Sequence, residues 1–161
     1  MGWSDLFKSK SKPPPSRDRA PSTEAKTPLL GAKKILVVDD NPVILKAMSF
    51  LLTAKGYCVL TAESAQDTIT LLNRETVDLI LLDLEFPPDP ASVLSDGFLT
   101  LEWARHYGIV HNAPVIIISS LDPEKYRKRA EAADISACFH KPVDERKLLE
   151  AIRAELGETP P

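Results

Sequence analysis

Two adjacent aspartates, Asp39 and Asp40, directly follow the apolar run ILVV at residues 35–38. Like charges at the end of an apolar segment repel each other and lose solvation, so the pair brings the fold no evident gain. A third aspartate, Asp83, follows the apolar run LILL at residues 79–82. Clustered carboxylates suit a hard divalent cation, and Mg²⁺ takes one or two carboxylates while leaving room for phosphate oxygens. The pattern predicts a magnesium site, and Asp83, which stands single, is the best candidate for a nucleophile.

A serine and a lysine follow two other apolar segments. Ser119 comes directly after the run VIII at residues 115–118, and Lys141 stands between a weaker apolar segment at 136–140 and Pro142. A lysine supplies a point charge for a phosphoryl group, and a serine hydroxyl donates to one of the phosphoryl oxygens. Together with the aspartates, these two residues predict a site for phosphoryl transfer.

Each of these residues also has a plain structural explanation. Asp39 can cap a helix that starts at Asn41 and Pro42, since an Asx residue followed by proline is a common helix start. Taken alone, Ser119 would be a turn residue and Lys141 a surface lysine. Two acids before a cap exceed what capping needs, and the agreement with Asp83 favours the metal interpretation.

The apolar segments also predict the fold that positions these residues. The three strong runs lack alternation, which is typical of strands covered on both faces of a parallel sheet, and weaker strands are expected at 57–62 and 136–140. Helical stretches lie between the strands, and the fourth of them, at 123–132, is polar. Repeated β–α alternation predicts one doubly wound parallel sheet with helices on both faces. Ligands bind beyond the carboxyl ends of such strands, where the aspartates, the serine and the lysine converge.

Charge divides the chain into a leader and a body. The chain of 161 residues has a formal net charge of −3, to which residues 1–34 contribute +5 and the remainder −8. Low apolar content and many prolines predict that residues 1–32 form a disordered basic leader. We expect one folded domain at 33–156 and a short tail at 157–161. The acidic body argues against direct DNA binding.

The sequence also bears on the cellular compartment. No apolar stretch approaches the roughly 18 residues that a membrane span needs, and no apolar segment of a signal peptide is visible, so we expect a cytoplasmic protein. Cys58 and Cys138 are far apart and belong to no CxxC pair or histidine cluster, so both are expected to be reduced thiols.

Four segments, ILVVDDNP, DLILLDLEFP, VIIISS and HKP, occur in this order along the chain. In their order and separations they resemble the receiver domain of two-component response regulators, and the resemblance covers about residues 33–156. It implies a flavodoxin-like (βα)5 fold with strand order 2-1-3-4-5 in a single three-layer domain. It also implies that Asp83 accepts a phosphoryl group from a phosphohistidine on a sensor histidine kinase or phosphotransfer protein.

The same resemblance implies a ligand set for Mg²⁺. Asp40 and Asp83 would bind the ion directly, Asp39 would bind it through water, and the backbone carbonyl of Glu85 would complete the protein ligands.

Further roles follow from the resemblance at the other strand ends. Lys141 would pair with the acyl phosphate, Ser119 would move to bond it, and Pro142 would follow a cis peptide bond. In the family an aromatic residue usually lies three positions before the lysine and rotates inward on activation, whereas Cys138 stands there in this chain. Its neighbour Phe139 cannot substitute for it, because adjacent residues of a strand face opposite sides.

Two other departures concern loops. The segment 84–96, LEFPPDPASVLSD, is several residues longer than the usual loop, and it would cover the pocket or form a partner surface. Asp134 stands where many relatives have glycine before the fifth strand, in a tight turn that aspartate tolerates less easily.

These features predict a single-domain response regulator rather than an enzyme with turnover. Phosphorylation would switch contacts with an unidentified downstream protein, and the chain would be a monomer or a phosphorylation-dependent dimer. One alternative is a receiver-like docking module that works without phosphorylation. A second is an aspartate-nucleophile phosphatase of the haloacid dehalogenase type, which requires an Asp-x-Asp after its first strand where this chain has Asp39-Asp40.

Overall fold

Strands and helices alternate along the chain in a computed structural model that describes residues 31–87, Leu94 and 96–159. The predicted leader lies almost wholly outside the described residues, as do most of the loop at 84–96 and the last two residues of the tail. No helix in the described part of the chain has the length and apolarity that crossing a membrane requires. The strands are β1 Lys34–Val38, β2 Cys58–Ala62, β3 Leu79–Leu82, β4 Val115–Ser119 and β5 Ala137–His140. The helices are α1 Pro42–Ala54, α2 Ala65–Leu72, α3 Gly97–His106, α4 Pro123–Ala132 and α5 Glu145–Glu155.

The five strands form one parallel sheet in the order β2-β1-β3-β4-β5. Its register pairs Val38 of β1 with Leu82 of β3, and Leu82 in turn with Ile117 of β4. The carboxyl ends of the strands therefore lie along one edge, the C-terminal edge of the sheet. Strand order and direction confirm the predicted flavodoxin-like fold.

Both faces of the sheet are buried. In β1, Ile35 and Val37 belong to the apolar cluster under α1 and α5, whereas Leu36 and Val38 belong to the cluster under α2 and α3. This two-sided burial explains why the strong strands show no alternation in sequence. A third cluster lies beneath α4 and consists of Leu84, Phe98, Ile117, Tyr126 and Ala130.

The helices begin at capping side chains that follow the strands closely. The Asn41 side chain accepts a hydrogen bond from the N–H of Val43 at the start of α1. Ser64, Asp96, Asp122 and Asp144 cap the other helices in the same way. Because each cap ends the preceding loop, the loops at the C-terminal edge are held by local hydrogen bonds.

The weaker strands start one residue later than predicted, at Cys58 and Ala137. The residue before β2, Tyr57, donates its N–H to the carbonyl of Leu52 at 3.1 Å, so its backbone completes the end of α1 instead of extending the strand. Before β5, Asp134 adopts the left-handed conformation with φ of 49°, which the tight turn requires.

Candidate functional site

Three aspartates meet at the C-terminal edge of the sheet. Asp39 and Asp83 are each 3% exposed, whereas Asp40 faces solvent. Parallel pairing continues past the strands, since the N–H of Asp83 donates to the carbonyl of Val38 at 2.9 Å. One carboxylate oxygen from each aspartate lies within 4.8 Å of the other two. A set of hard oxygen ligands this close together fits Mg²⁺.

A lysine ammonium joins the two buried aspartates. Lys141 Nζ lies 2.6 Å from Asp39 Oδ2 and 2.8 Å from Asp83 Oδ2. The Lys141 backbone N–H donates to the carbonyl of Ser119 at 2.9 Å, and the peptide bond that follows Lys141, to Pro142, is cis. This edge holds three carboxylates but one ammonium, which contacts two of them, so the site carries an excess of negative charge that attracts a cation.

Burial and charge act against each other in this cluster. Burial raises the pKa of Asp83, and hydrogen bonds from Lys141 and from the Glu85 N–H offset only part of the rise. Burial lowers the pKa of Lys141, but its hydrogen bonds to Asp39 and Asp83 outweigh that effect, so the pKa lies above its usual value. The lysine is therefore firmly protonated, whereas Asp83 is ionised at a cost that an added cation would relieve.

The remaining predicted residues lie at the same edge of the sheet. Ser119 is fully buried at the end of β4, and its Oγ accepts a hydrogen bond from the Leu121 N–H at 3.1 Å. The Glu85 N–H donates to Asp83 Oδ1 at 3.2 Å, so the backbone of Glu85 lies beside the acidic cluster. Asp39 Oδ1 accepts from the Asn41 N–H at 2.8 Å. Asn41 is the cap of α1, and the capping explanation of Asp39 is therefore wrong.

Sequence reasoning missed how the start of α3 closes against the site. A Cβ atom on Gly97 would lie 2.3 Å from the carbonyl oxygen of Asp83, so only glycine fits there. Asp96 accepts from the Leu99 N–H at 2.8 Å and from Arg129 Nη1 of α4 at 3.0 Å. The Asp-Gly pair before an apolar stretch is the sequence signal for such a cap, but only the fold brings it to Asp83.

The aromatic residue beside β5 comes from α4. Cys138 is exposed, whereas Phe139 packs into the cluster under α1 and α5, so Phe139 does not occupy the place of Cys138. Tyr126 lies on α4, which was predicted only as a polar helix. It is 4% exposed, and its ring centroid lies 6.3 Å from that of Phe98. Its spacing from Ala130, the other buried residue of α4, was the available signal.

The sheet order, with the acids and the lysine at its C-terminal edge, defines a receiver-type α/β domain. The chain belongs to the response regulator receiver domain family, whose model matches residues 35–153. It is therefore a receiver domain of two-component systems.

Individual relatives agree with this assignment. The chain is 32% identical over 127 residues to the protein PilH of Pseudomonas aeruginosa, an alignment that covers 77% of this chain and 98% of that protein. It is 33% identical over 127 residues to the transcriptional regulatory protein GlrR of Escherichia coli K12, covering 79% of this chain but only 27% of that protein. The chain thus spans about a quarter of this longer relative.

Solved structures give the same picture. A CheY-like response regulator receiver domain protein from Methanospirillum hungatei aligns with a TM-score of 0.69 at 28% identity, covering 78% of this chain and 94% of that one. The receiver domain of a sensor histidine kinase from Pseudomonas aeruginosa, crystallised with a magnesium ion coordinated in its active-site cleft, aligns with a TM-score of 0.67 at 24% identity. That alignment covers 79% of this chain and 99% of that one, and at this identity it supports the fold alone.

Proposed function

We propose that Asp83 accepts a phosphoryl group from a phosphohistidine on a sensor histidine kinase or phosphotransfer protein, and that the resulting charge switches the contacts of this domain with other proteins. The observation that carries the proposal is the placement of Lys141, whose ammonium contacts both buried aspartates at the C-terminal edge. A fixed cation beside a carboxylate that is ionised at a cost is what phosphoryl acceptance requires.

The chemical step needs only an oxygen nucleophile and charge neutralisation. A carboxylate oxygen of Asp83 attacks the phosphorus of phosphohistidine, the P–N bond breaks, and the imidazole nitrogen keeps the electron pair and takes up a proton. The product is an acyl phosphate on Asp83. The Lys141 ammonium stays close to that carboxylate throughout, at a starting distance of 2.8 Å.

Asp40, Asp83 and the backbone carbonyl of Glu85 would hold Mg²⁺ directly, and Asp39 would hold it through water. The bound ion would neutralise charge that builds up on the phosphoryl oxygens. The carboxylate oxygens of Asp39, Asp40 and Asp83 lie within 4.8 Å of one another, and this spacing supports the ligand set.

Switching follows from the added negative charge. Ser119 Oγ accepts a hydrogen bond from Leu121 in the present state. As the hydroxyl turns to donate to the acyl phosphate, it gives up that contact, and the turn between β4 and α4 shifts with it. Because α4 begins at Pro123, directly after this turn, the helix follows the movement.

Helix α1 offers a surface on which the phosphodonor can dock. Val43 is 73% exposed and Phe50 is 78% exposed, and their spacing of seven residues puts both on one face with Ala47 and Ala54. This set, the α1 stripe, starts three residues after Asp40. An apolar helix of the donor that packs along the α1 stripe would bring its phosphohistidine over the acidic cluster.

Intact-mass measurement after incubation with acetyl phosphate and Mg²⁺ tests the proposal. We expect one added phosphoryl group on the wild type and none on Asp83→Asn. The matched control is Asp78→Asn, which alters the residue just before the other end of β3 and should leave phosphorylation intact. An adduct that persists on Asp83→Asn would refute the assignment of the acceptor.

Other outcomes separate the alternatives. An unmodified wild type would favour a docking module that works without phosphorylation. Turnover of a phosphate ester would favour an aspartate-nucleophile phosphatase, whereas we propose that the chemistry is limited to formation and hydrolysis of the protein's own acyl phosphate.

A further inference from the structure

The hydroxyl of Tyr126 is buried without a hydrogen-bond partner. Tyr126 lies in α4 and is 4% exposed. Of all buried side-chain oxygens and nitrogens in the described residues, only its Oη lacks a hydrogen-bond partner. Leu84, Phe98 and Ile117 belong to the same apolar cluster. A phenol oxygen enclosed by such side chains loses its hydrogen bonds to water and gains none, so it destabilises this packing.

A second buried tyrosine shows the usual arrangement. Tyr57 is 6% exposed, and its Oη donates to Glu158 Oε2 at 2.7 Å. Burial together with this carboxylate raises the pKa of Tyr57 to about 12. The fold therefore satisfies one buried tyrosine hydroxyl and leaves the other unpaired.

A chain of contacts connects Tyr126 with Asp83. Its ring contacts that of Phe98, which follows Gly97, and the backbone of Gly97 abuts the Asp83 carbonyl. On its own helix, Tyr126 lies three residues after Pro123, where α4 begins. The turn before Pro123 is held by the hydrogen bond from the Leu121 N–H to Ser119 Oγ.

The solvent-exposed residue Cys138 of β5 lies near the Tyr126 phenol. Cys138 is exposed in β5, and its side chain is short. Burial raises the pKa of Tyr126, and negative charge on Cys138 and on Asp122 adds to the rise, so both groups are close enough to interact with the phenol. Because Cys138 is exposed to solvent, a displacement of α4 that uncovers the phenol on this side would give the hydroxyl access to water.

We propose that the unpaired Tyr126 hydroxyl biases α4 towards its phosphorylated position. The unphosphorylated protein buries Oη without a partner, and the shift of α4 that follows phosphorylation of Asp83 lets Oη bond to water beside Cys138. This inference rests on the proposed function of Asp83 and adds a residue that sets the balance between the two states.

The consequence is a thermodynamic link between stability and affinity. Tyr126→Phe removes the unpaired oxygen, so it stabilises the unphosphorylated packing. In the displaced state the same substitution removes a satisfied hydroxyl and brings no such gain. A ligand that binds only the displaced state must then bind the variant more weakly, because the free-energy difference between the resting and the displaced state is larger in the variant.

The test uses beryllium fluoride with Mg²⁺ as a phosphoryl analogue that binds without turnover. For Tyr126→Phe in the full chain we expect a melting temperature roughly 3 to 6 °C above that of the wild type and an affinity for the analogue roughly fivefold to tenfold weaker. The matched control is Tyr57→Phe, which loses a satisfied hydroxyl. It should melt below the wild type and bind the analogue as the wild type does.

The outcomes are distinguishable. A lower melting temperature for Tyr126→Phe would show that the hydroxyl has a partner in the resting state and would overturn the inference. A higher melting temperature with unchanged or stronger analogue binding would also overturn it, because the hydroxyl would then be uncoupled from the site. If the wild type bound no beryllium fluoride at all, the proposed function would fail, and this inference would fail with it.

Discussion

Strand β3 is flanked by two aspartates, Asp78 and Asp83, whose hydrogen-bond partners and solvent exposure differ. Asp78, just before the strand, accepts from the Lys34 N–H at 2.7 Å and from Lys33 Nζ at 3.1 Å, with its side chain 38% exposed. Asp83, just after it, is paired with Lys141 at 2.8 Å, with its side chain 4% exposed. The backbone hydrogen bond from Lys34 lowers the pKa of Asp78, whereas burial raises the pKa of Asp83.

The difference separates an aspartate that supports the fold from one that is held ready for chemistry. Asp78 has its own backbone donor and solvent on one side, so its charge is stable as it stands. Asp83 shares a single ammonium with Asp39, and its charge is only partly compensated. Sites that bind cations or phosphoryl groups commonly retain such uncompensated charge, which the ligand then neutralises.

The largest expected effect comes from removing the cation at each end. Without divalent cations, Lys141→Met should lower the free energy of unfolding by about 3 kcal/mol, because it leaves two buried carboxylates facing each other. Lys33→Met should lower it by less than about 1 kcal/mol, because its ion pair is exposed. Urea unfolding in the presence of a chelator measures both. Equal effects would show that the two ends do not differ as described.

Two exposed aromatic residues, Phe50 and Tyr107, should also differ in donor recognition. Phe50→Ala in the α1 stripe should slow phosphoryl transfer from a phosphohistidine donor roughly tenfold, since large aromatic residues that an interface buries are often the ones whose truncation costs more than about 1 kcal/mol. Tyr107→Ala alters a residue that is 62% exposed at the C-terminus of α3, towards the opposite edge of the sheet, and should not change the rate. Phosphorylation by acetyl phosphate, which needs no docking, should be unaffected in both variants. A slow reaction of Phe50→Ala with acetyl phosphate would place its defect in the site instead.

Neutralising each aspartate should change stability in opposite directions. Asp83→Asn should raise the free energy of unfolding by about 1 to 2 kcal/mol, because one of two carboxylates that share an ammonium is removed. Asp78→Asn should lower it by less than about 1 kcal/mol, because the charge-assisted bonds to Lys33 and to the Lys34 N–H are weakened at a partly exposed position. Unfolding at neutral pH without Mg²⁺ provides the measurement. Destabilisation of Asp83→Asn would contradict the contrast.

The smallest effect concerns acid pH. The folded pKa of Asp78 lies below its unfolded value, so its carboxylate contributes stability above the unfolded pKa of about 3.9 and loses it as pH falls through the folded pKa. The stability difference between wild type and Asp78→Asn should therefore stay constant from neutral pH to about pH 5, then decline, and vanish only below the folded pKa of Asp78. Lys33→Met should keep most of this dependence, because the Lys34 N–H is the larger cause of the shift.

Much of the fold was predictable because it depends on local patterns. The unalternating runs before Asp39, Asp83 and Ser119 predicted buried parallel strands, and these are β1, β3 and β4. Strand β2 was placed one residue early, because the backbone of Tyr57 completes α1 through a contact that periodicity does not show.

The candidate site was predictable in its members but not in its pairings. Position at strand ends was enough to select the aspartates, Ser119 and Lys141, since parallel strands bring their carboxyl ends to one edge. Which acids share the lysine, and that Asn41 rather than Asp39 caps α1, depend on side-chain directions that residue types do not specify. Gly97 and Arg129 were missed for the same reason, because their partners lie on other elements.

Residue types and their order along the chain thus determined the doubly wound sheet and the gathering of acids, serine and lysine at one edge, because strand burial and strand direction are encoded locally. The tertiary structure alone decided that Asp83 is buried and only partly compensated while Asp78 is satisfied, and that Tyr126 is enclosed without a partner while Tyr57 has one. Burial and hydrogen-bond partners at these positions come from elements far away in sequence. Their effect on charge and stability is a sum over neighbours that only the folded chain brings together.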